Sequence, residues 1–192
     1  MTDTAFRPFE TLLDRATALS RLREATHGAD DGELFFERRR AEGLMFDDGR
    51  VKTASYDASE GFGLRAVRGE VTGYAHSSEV TEAALKRAVE TARLAVGAGG
   101  GTLAAGPTPT NRRLYTDADP IAGASFPVKL DTLREIDAFA RGLDPRVVQV
   151  TASIAASLQE VVILRPDGQD LQDIRPMTRV NVSIIVEQEG RR

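Results

Sequence analysis

The side chains that most often carry out chemistry in enzymes are scarce in this chain. Its 192 residues include no cysteine and only two histidines, His27 and His76, which lie far apart in the sequence. Without cysteine the chain has no disulfide, thiol nucleophile, zinc finger or iron–sulfur cluster. Two separated histidines do not build a histidine-rich metal centre. We therefore assign no catalytic, cofactor-binding or metal-ligating residue to this chain from its sequence.

His27 is predicted to follow a helix and His76 to end a strand, and either could act as a lone general base. No nucleophile or paired carboxylate stands at a recognisable spacing from either one, so a surface or capping role is favoured. Asp30-Asp31 and Asp47-Asp48 lack the alternating spacing of a calcium loop and are typical of turns.

Two glycine-rich segments resemble nucleotide-binding loops in residue types but not in the predicted structure around them. Residues 61–66, Gly-Phe-Gly-Leu-Arg-Ala, fit the dinucleotide pattern, but that motif must follow a strand and open a helix. Here the glycines lead into a strand-like run, so we expect a strand at Gly63, with a bulge or close backbone approach. The run from Gly97 to Gly101 follows a predicted helix and is interpreted as a helix stop and connection. A nucleotide-binding enzyme is therefore the weakest interpretation.

Arg38, Arg39 and Arg40 end one predicted strand. A solvated sheet edge, protected by charge from aggregation, is the favoured interpretation. A patch that contacts peptide or phosphate is the alternative. The outer strands of a meander sheet also leave backbone N–H and C=O groups open. Such an edge can take up an extended peptide by strand addition, which tolerates varied peptide sequences.

Hydrophobic spacing predicts three helices, over residues 9–26, about 77–96 and about 127–142. It also predicts nine short strands, over residues 33–39, 43–46, 50–55, 61–68, 71–75, 147–157, 159–164, 169–173 and 179–187. Asp47-Asp48-Gly49 predicts a type I′ hairpin turn, and Arg68-Gly69-Glu70 and Asp167-Gly168 predict two further turns. The predicted fold class is α+β: antiparallel meander sheets with packed helices, in two related helix-plus-four-strand units.

These two units would occupy residues 1–96 and 126–192, joined over residues 97–125 by a Gly/Pro-rich linker or surface excursion. The first unit continues into a further strand and a helix, whereas the second stops without them. We therefore expect the whole to be one N-terminal domain of a longer protein, with the second unit truncated. Strand 179–187 would then lack a neighbour and leave an exposed edge.

Composition narrows the function classes further. The formal net charge is −4, whereas a nucleic-acid-binding domain normally shows a basic excess, so we expect no nucleic-acid partner. No segment approaches the ~20 apolar residues of a membrane-spanning helix, so we expect no membrane partner. The first eight residues lack the apolar core of a signal peptide. A soluble, cytoplasmic protein is the expectation.

Several segments together resemble the TldD/PmbA family of bacterial proteins. The most specific is residues 61–75, Gly-Phe-Gly-Leu-Arg-Ala-Val-Arg-Gly-Glu-Val-Thr-Gly-Tyr-Ala. Residues 28–36 and 47–52 also resemble the start of proteins of this family. Residues 114–120, 147–153 and 175–187 favour the TldD branch over the PmbA (TldE) branch. The resemblance covers about residues 28–192. It implies a zinc metalloprotease subunit, historically called a modulator of DNA gyrase, that degrades or trims unfolded peptides and pairs with a PmbA-like subunit.

The family's zinc site is an H-E-x-x-x-H helix followed later by a cysteine, and this chain contains neither. The resemblance therefore implies zinc in the intact family member, none in this chain, and no activity of the chain alone. Our first hypothesis is a non-catalytic N-terminal domain that lines the peptide path and supports contacts with a PmbA/TldE-like subunit or a second copy. The alternative is a freestanding module that binds a peptide or a partner and has no protease activity.

Overall fold

The structure, a computed structural model, describes residues 6–97, 101–105 and 116–191. Within those residues the chain forms four helices and five strands. The helices are α1 (Pro8–Thr11), α2 (Arg15–Ala25), α3 (Glu82–Val96) and α4 (Phe126–Leu143). The strands are β1 (Asp31–Asp47), β2 (Arg50–Arg68), β3 (Val71–Ser77), β4 (Val147–Leu164) and β5 (Asp170–Val186). No helix of the described residues is long and apolar enough to span a membrane.

The five strands form one antiparallel sheet with the order β3-β2-β1-β4-β5. The predicted α+β class, an antiparallel sheet with packed helices, is confirmed. Asp48 and Gly49 both have positive φ angles, 48° and 79°, as the predicted type I′ turn between β1 and β2 requires. Gly69 (57°) and Gly168 (94°) occupy the other two predicted turns. Local turn chemistry therefore fixes how neighbouring strands are connected.

The strands are longer than the sequence predicts. Eight of the nine predicted runs are joined in pairs to form β1, β2, β4 and β5, so the division into nine short strands is wrong. The polar residues at the joins look like turns in the sequence, but within β1 they have ion-pair partners. Arg40 lies 3.0 Å from Asp119, and Glu42 pairs with Lys129. The polar interruption of β1 is therefore compatible with a continuous strand.

The predicted helix over residues 9–26 is split into α1 and α2. The cause is Asp14, whose carboxylate accepts a hydrogen bond from the backbone N–H of Thr17 (2.7 Å) and caps α2. The helical spacing of Leu12, Ala16, Leu19 and Leu22 predicts that Ala16 faces inward, but Ala16 is exposed and Ala18, two positions later, is buried. Leu22 is fully buried, as predicted.

The ends of the other helices follow their caps. The sequence predicts that Ser77 or Ser78 caps helix α3. Thr81 supplies the capping hydroxyl instead, so the helix begins later than predicted. It ends as predicted before Gly97, whose φ is 70°. Helix α4 continues past Gly142, the predicted stop, for one more residue. These differences move boundaries by a few residues and leave the element order unchanged.

Only part of the predicted linker over residues 97–125 can be compared, because residues 98–100 and 106–115 lie outside the described residues. Residues 101–105 and 116–119 contain no helix or strand. The backbone N–H of Gly101 donates to Gly28 O (2.9 Å), and that of Ala104 donates to Asp30 O (2.6 Å). This part of the segment is therefore bonded to the chain that leads into β1.

The chain divides into two compact units whose segments interleave. The first comprises residues 1–39, 59–114 and 159–174, and the second comprises residues 40–58, 115–158 and 175–192. In the first, α2, α3 and one face of the sheet enclose a core that includes Leu22, Leu34, Phe36, Leu64 and Leu85. In the second, α4 contributes a smaller core of Leu44, Phe46, Leu133 and Ala152.

Helix α3 approaches β3 most closely at a glycine. Gly73 is buried, and a Cβ at this position would collide with the backbone carbonyl oxygen of Ala92. The helical spacing of Leu85, Val89, Ala92 and Val96 predicts an inward-facing stripe on α3, and all four residues are buried. The absence of a side chain at Gly73 therefore sets the distance between helix and strand.

Four charged side chains form an ion-pair network in the first unit. Arg165, which is 8% exposed, donates to Asp31 (2.7 Å) and lies 3.9 Å from Glu33. Arg65 donates to both carboxylates at 3.0 Å. Burial acts to raise the pKa of Asp31, but Arg165, the Gly32 N–H and Arg65 together hold it below its usual value. Asp31 is the first residue of β1, so the prediction that it is a turn residue is wrong.

Replacing Gly73 with alanine should lower the free energy of unfolding by about 1–3 kcal/mol, because the methyl group overpacks the contact with α3. Gly142→Ala is the matched control, since a Cβ at this helical position meets no atom within 4 Å. It should raise stability by up to about 1 kcal/mol. Urea unfolding followed by circular dichroism measures both changes. Equal stability of the two variants would contradict the close approach.

Asp31→Asn should lower the free energy of unfolding at pH 7 by about 2 kcal/mol, because buried Arg165 loses its nearest carboxylate. A depressed carboxyl pKa stabilises the fold above the unfolded-state pKa, and this contribution is lost on acidification. The difference from wild type should therefore shrink as the pH falls below about 4. Asp131→Asn removes only an exposed pair with Arg134 and should change stability by less than about 0.5 kcal/mol. A pH-independent effect of Asp31→Asn in urea titrations would refute this assignment.

Candidate functional site

The two histidines lie in different parts of the fold. His27 is exposed just after α2, and His76 is exposed on β3. Across residues 6–97, 101–105 and 116–191, no three His, Asp or Glu side chains are placed to hold a metal ion. The zinc implied by the family resemblance therefore does not fit the described residues, and we assign them no metal-dependent step.

Gly61 and Gly63 lie within β2, so the predicted strand is confirmed and the dinucleotide-binding motif is excluded. Gly63 is paired with His76 across the β2–β3 hairpin. A Cβ at Gly61 would lie 2.6 Å from the carbonyl oxygen of Ser77, and one at Gly63 would lie 2.9 Å from the hydroxyl oxygen of Tyr74. These glycines accommodate close neighbours on β3, as the sequence predicts, and do not approach a phosphate.

Residues of β1, β2 and β3 surround a surface groove of about 270 Å³, which we call the β3 groove. Its aromatic members are Phe35, Phe62, Tyr74 and His76. The ring centres of Tyr74 and His76 are 5.7 Å apart and their planes are inclined by 30°. Gly61 and Gly63 also line the groove and contribute only backbone. The groove therefore presents ring faces beside an uncovered stretch of strand.

Two carboxylates, Glu37 and Glu60, line the same groove. Neither makes a side-chain hydrogen bond or ion pair with any of the described residues. Aromatic ring faces attract cations, and an opposite charge strengthens that attraction. The β3 groove is therefore suited to a positively charged or a planar group.

Strand β3 is one outer strand of the sheet. Its two-residue loop to β2 is closed by the pair Arg68–Val71, and in hairpins of this type the closing pair is hydrogen-bonded. Because bonding direction alternates along an antiparallel strand, the residues that turn N–H and C=O away from β2 are Thr72, Tyr74 and His76. In the part of the chain that the structure describes, no strand pairs with this side of β3.

The consecutive arginines do not form a solvated edge, so that prediction is wrong. They lie on β1, which is the central strand. Arg38 makes hydrogen bonds of 2.8 and 2.9 Å to Glu160, which is 4% exposed, and its guanidinium carbon lies 5.3 Å from the ring centre of Phe6. Arg40 pairs with Asp119. Arg38 and Arg40 therefore each bind an acidic group of their own unit, which argues against a peptide or phosphate patch.

Strand β5 is the other outer strand, so the exposed edge predicted at residues 179–187 is confirmed for the described residues. Every residue from Met177 to Ile184 is exposed, and both faces of the strand are therefore uncovered. Arg146 holds the end of this strand through its carbonyl oxygen, which accepts from the N–H of Glu187 (2.9 Å). The side chain of Arg146 binds Asp144 and lowers the pKa of that carboxyl to about 2.

Sequence reasoning missed the β3 groove because its residues come from three separate stretches, 35–37, 59–63 and 74–78. Only the hairpin register brings them together. The sequence did contain one indication of the groove. A hairpin turn at Gly69 brings the stretch with glycines at 61 and 63 beside the stretch with the aromatic residues at 74 and 76. The sequence also offered no reason to single out Glu37 or Glu60.

Two family models match the chain in sequence order. PmbA/TldA metallopeptidase domain 1 matches residues 32–96, and the PmbA/TldA metallopeptidase central domain matches residues 119–192. Metalloprotease TldD homologs from Buchnera aphidicola subsp. Acyrthosiphon pisum and from Haemophilus influenzae are each 32% identical, over 168 and 167 residues. These alignments cover 87% and 85% of this chain, but 35% and 34% of the relatives. The chain therefore spans about a third of the length of these relatives.

Solved structures share the fold. A protein described as a modulator of a DNA gyrase from Thermotoga maritima has a TM-score of 0.73 at 15% identity, covering 91% of this chain and 40% of its own. TldE from Thermococcus kodakarensis has a TM-score of 0.65 at 16% identity, with the same coverage. At such identities the likeness concerns the fold alone. The two family models, matched in order, and the 32% identity over most of its length show that the chain belongs to the PmbA/TldD metallopeptidase family.

Proposed function

We propose that this chain is part of a TldD-like metallopeptidase subunit, in which it holds an unfolded peptide in extended form along β3. Membership of a metallopeptidase family supports a peptide as the ligand. The observation that carries the proposal is the open side of β3, whose outward-turned residues include two that line the β3 groove, Tyr74 and His76. Cleavage belongs to a metal site built by other residues than those described here.

A peptide added to β3 would exchange backbone hydrogen bonds with Thr72, Tyr74 and His76. Each bond adds about 1 kcal/mol net, so the backbone alone gives modest affinity. Because these bonds involve no side chain of the peptide, varied sequences are accepted. Such tolerance suits a subunit that handles unfolded chains.

The groove adds selectivity to this backbone recognition. Alternate side chains of an added strand point to the same face of the sheet, so one of them can enter the β3 groove. There it meets the rings of Tyr74 and His76 and the carboxylates of Glu37 and Glu60. We infer that arginine or lysine is favoured at this position of the peptide.

The chain alone should not hydrolyse peptides. It has no cysteine, and its two histidines lie on separate elements, so it lacks a set of ligands with which zinc could activate water. We expect fluorescein-labelled casein to remain intact on gels after incubation with the purified chain, with or without added zinc. Cleavage that a chelator abolishes would disprove this expectation.

Peptide binding should require the open side of β3. The probe is a fluorescein-labelled nonapeptide of alternating threonine and valine with a central arginine, followed by fluorescence anisotropy. Thr72→Pro removes an outward N–H and blocks an added strand, while an outer strand tolerates proline on that side. We expect this variant to bind at least about tenfold more weakly, a loss of about 1.4 kcal/mol.

Thr178→Pro, in the other outer strand, is the matched control and should bind the peptide as wild type does. Replacing the central arginine of the peptide by norleucine should weaken binding to wild type, and Glu37→Gln should remove that preference. Unfolding curves of both proline variants establish that they are folded. If Thr72→Pro binds as tightly as wild type, or if Thr178→Pro alone loses binding, β3 is not the peptide site.

A further inference from the structure

We propose that the β3 groove binds the planar guanidinium group of arginine in preference to the ammonium group of lysine, stacked on the ring of Tyr74. Gly63 is the positioning residue, because its missing side chain leaves room for that ring. The arginine belongs to the peptide that is held along β3, so this proposal rests on the proposed function. It goes further by separating two side chains of equal charge.

The ring of Tyr74 crosses the neighbouring strand diagonally. In the β2–β3 hairpin Tyr74 is paired with Arg65, whereas Gly63 is paired with His76. The outer end of the Tyr74 ring nevertheless lies over Gly63. A Cβ at position 63 would be 2.9 Å from the hydroxyl oxygen, 3.2 Å from Cε2 and 3.4 Å from Cζ. The ring therefore leans across β2 to the level of His76, whose ring centre is 5.7 Å away.

Gly63 has a different neighbour from the other glycine of the groove. Glycine weakens a strand interior, because it packs no side chain there. Gly63 is buried, and the three atoms nearest to its missing Cβ all belong to the side chain of Tyr74. At Gly61 the nearest atom is instead the backbone carbonyl oxygen of Ser77. Gly63 therefore makes room for a side chain, whereas Gly61 makes room for a strand.

The charge of the groove favours a cation. Glu37 and Glu60 line it, and none of its described lining residues is lysine or arginine. The guanidinium of Arg65, on the same strand as Gly63, donates to Glu33 and Asp31 on β1. A cation that enters the groove therefore meets two carboxylates, and the nearby arginine is already paired with other acidic groups.

The shape of the groove favours arginine among the cations. A guanidinium is planar, stacks on aromatic faces and presents its donors in a fork, whereas an ammonium is compact and strongly hydrated. The rings of Tyr74 and His76 are inclined by only 30°, so their faces have similar orientations. A flat group stacked there keeps its N–H groups at its edge, where the carboxylates accept hydrogen bonds. Lysine offers the same charge without the stacking surface.

The first test compares the nonapeptide that has a central arginine with the same peptide that has a central lysine. Wild type should bind the arginine peptide at least about threefold more tightly, and Tyr74→Leu should lower this ratio to about one. Tyr56→Leu is the matched control and should keep the ratio. Tyr56 lies on β2 outside the groove and is as exposed as Tyr74 (59% against 57%). Equal affinity of wild type for the two peptides would overturn the proposal.

Gly63→Ala tests the placement of the ring. The new methyl group should displace the outer end of Tyr74 and at least halve the ratio of arginine to lysine affinity. Adding Tyr74→Phe should recover most of the ratio, because the hydroxyl oxygen is the atom that the methyl group meets first. A purely structural role of Gly63 would weaken both peptides equally. An unchanged ratio, or a double variant without recovery, would therefore refute the positioning role.

A smaller probe separates this proposal from the peptide-binding function. Methylguanidinium and methylammonium cannot add a strand to β3, so they test the groove alone. At about 50 mM, methylguanidinium should shift the ring proton NMR signals of Tyr74 and His76 at least about twice as far as methylammonium does. The signals of His27 should not move. If these shifts appear but no nonapeptide binds, the peptide function fails and the guanidinium site stands. Equal shifts with both cations would overturn the guanidinium site.

Discussion

Strand β1 lies between β2 and β4 in the centre of the sheet, and the structure depends on how its side chains are accommodated there. Leu34 and Phe36 enter the core of the first unit. Arg38 is accommodated because the buried carboxylate of Glu160 accepts two of its hydrogen bonds. Removing one member of such a pair leaves a charge that water reaches poorly, which costs more than the pair itself contributes. Strand β1 therefore carries both the core side chains Leu34 and Phe36 and the ion pair of Arg38 with Glu160.

The two outer strands differ in the surface that they offer. Strand β3 is short, contains a glycine where α3 crosses it, and borders a groove with aromatic rings and carboxylates. Strand β5 is long, uncovered on both faces near its end, and rich in valine and isoleucine. The two outer strands therefore differ in the chemistry of their exposed side chains as well as in length.

Sequence reasoning succeeded where the determining interaction is local. The turn at Asp48-Gly49 needs two residues that tolerate positive φ, and both are adjacent in the chain. Sequence reasoning failed where the interaction partner is distant in the chain. Arg38 and Glu160 lie 122 positions apart, and no residue near Arg38 indicates that its partner is a buried carboxylate. The same limit hid the β3 groove, whose walls meet only after the hairpin has formed.

The family assignment depended on segments spread over most of the chain, and it agrees with the matched domain models.

The interleaving of the compact units bears on how the chain folds during synthesis. The first unit needs residues 159–174, which supply Val162 and Leu164 to its core and Arg165 to the network around Asp31. A nascent chain that has emerged only through α3 has its first hairpin and helices but not these partners. Such long-range closure slows folding and leaves apolar surface exposed meanwhile. The first core is therefore completed only after residues 159–174 have been synthesised.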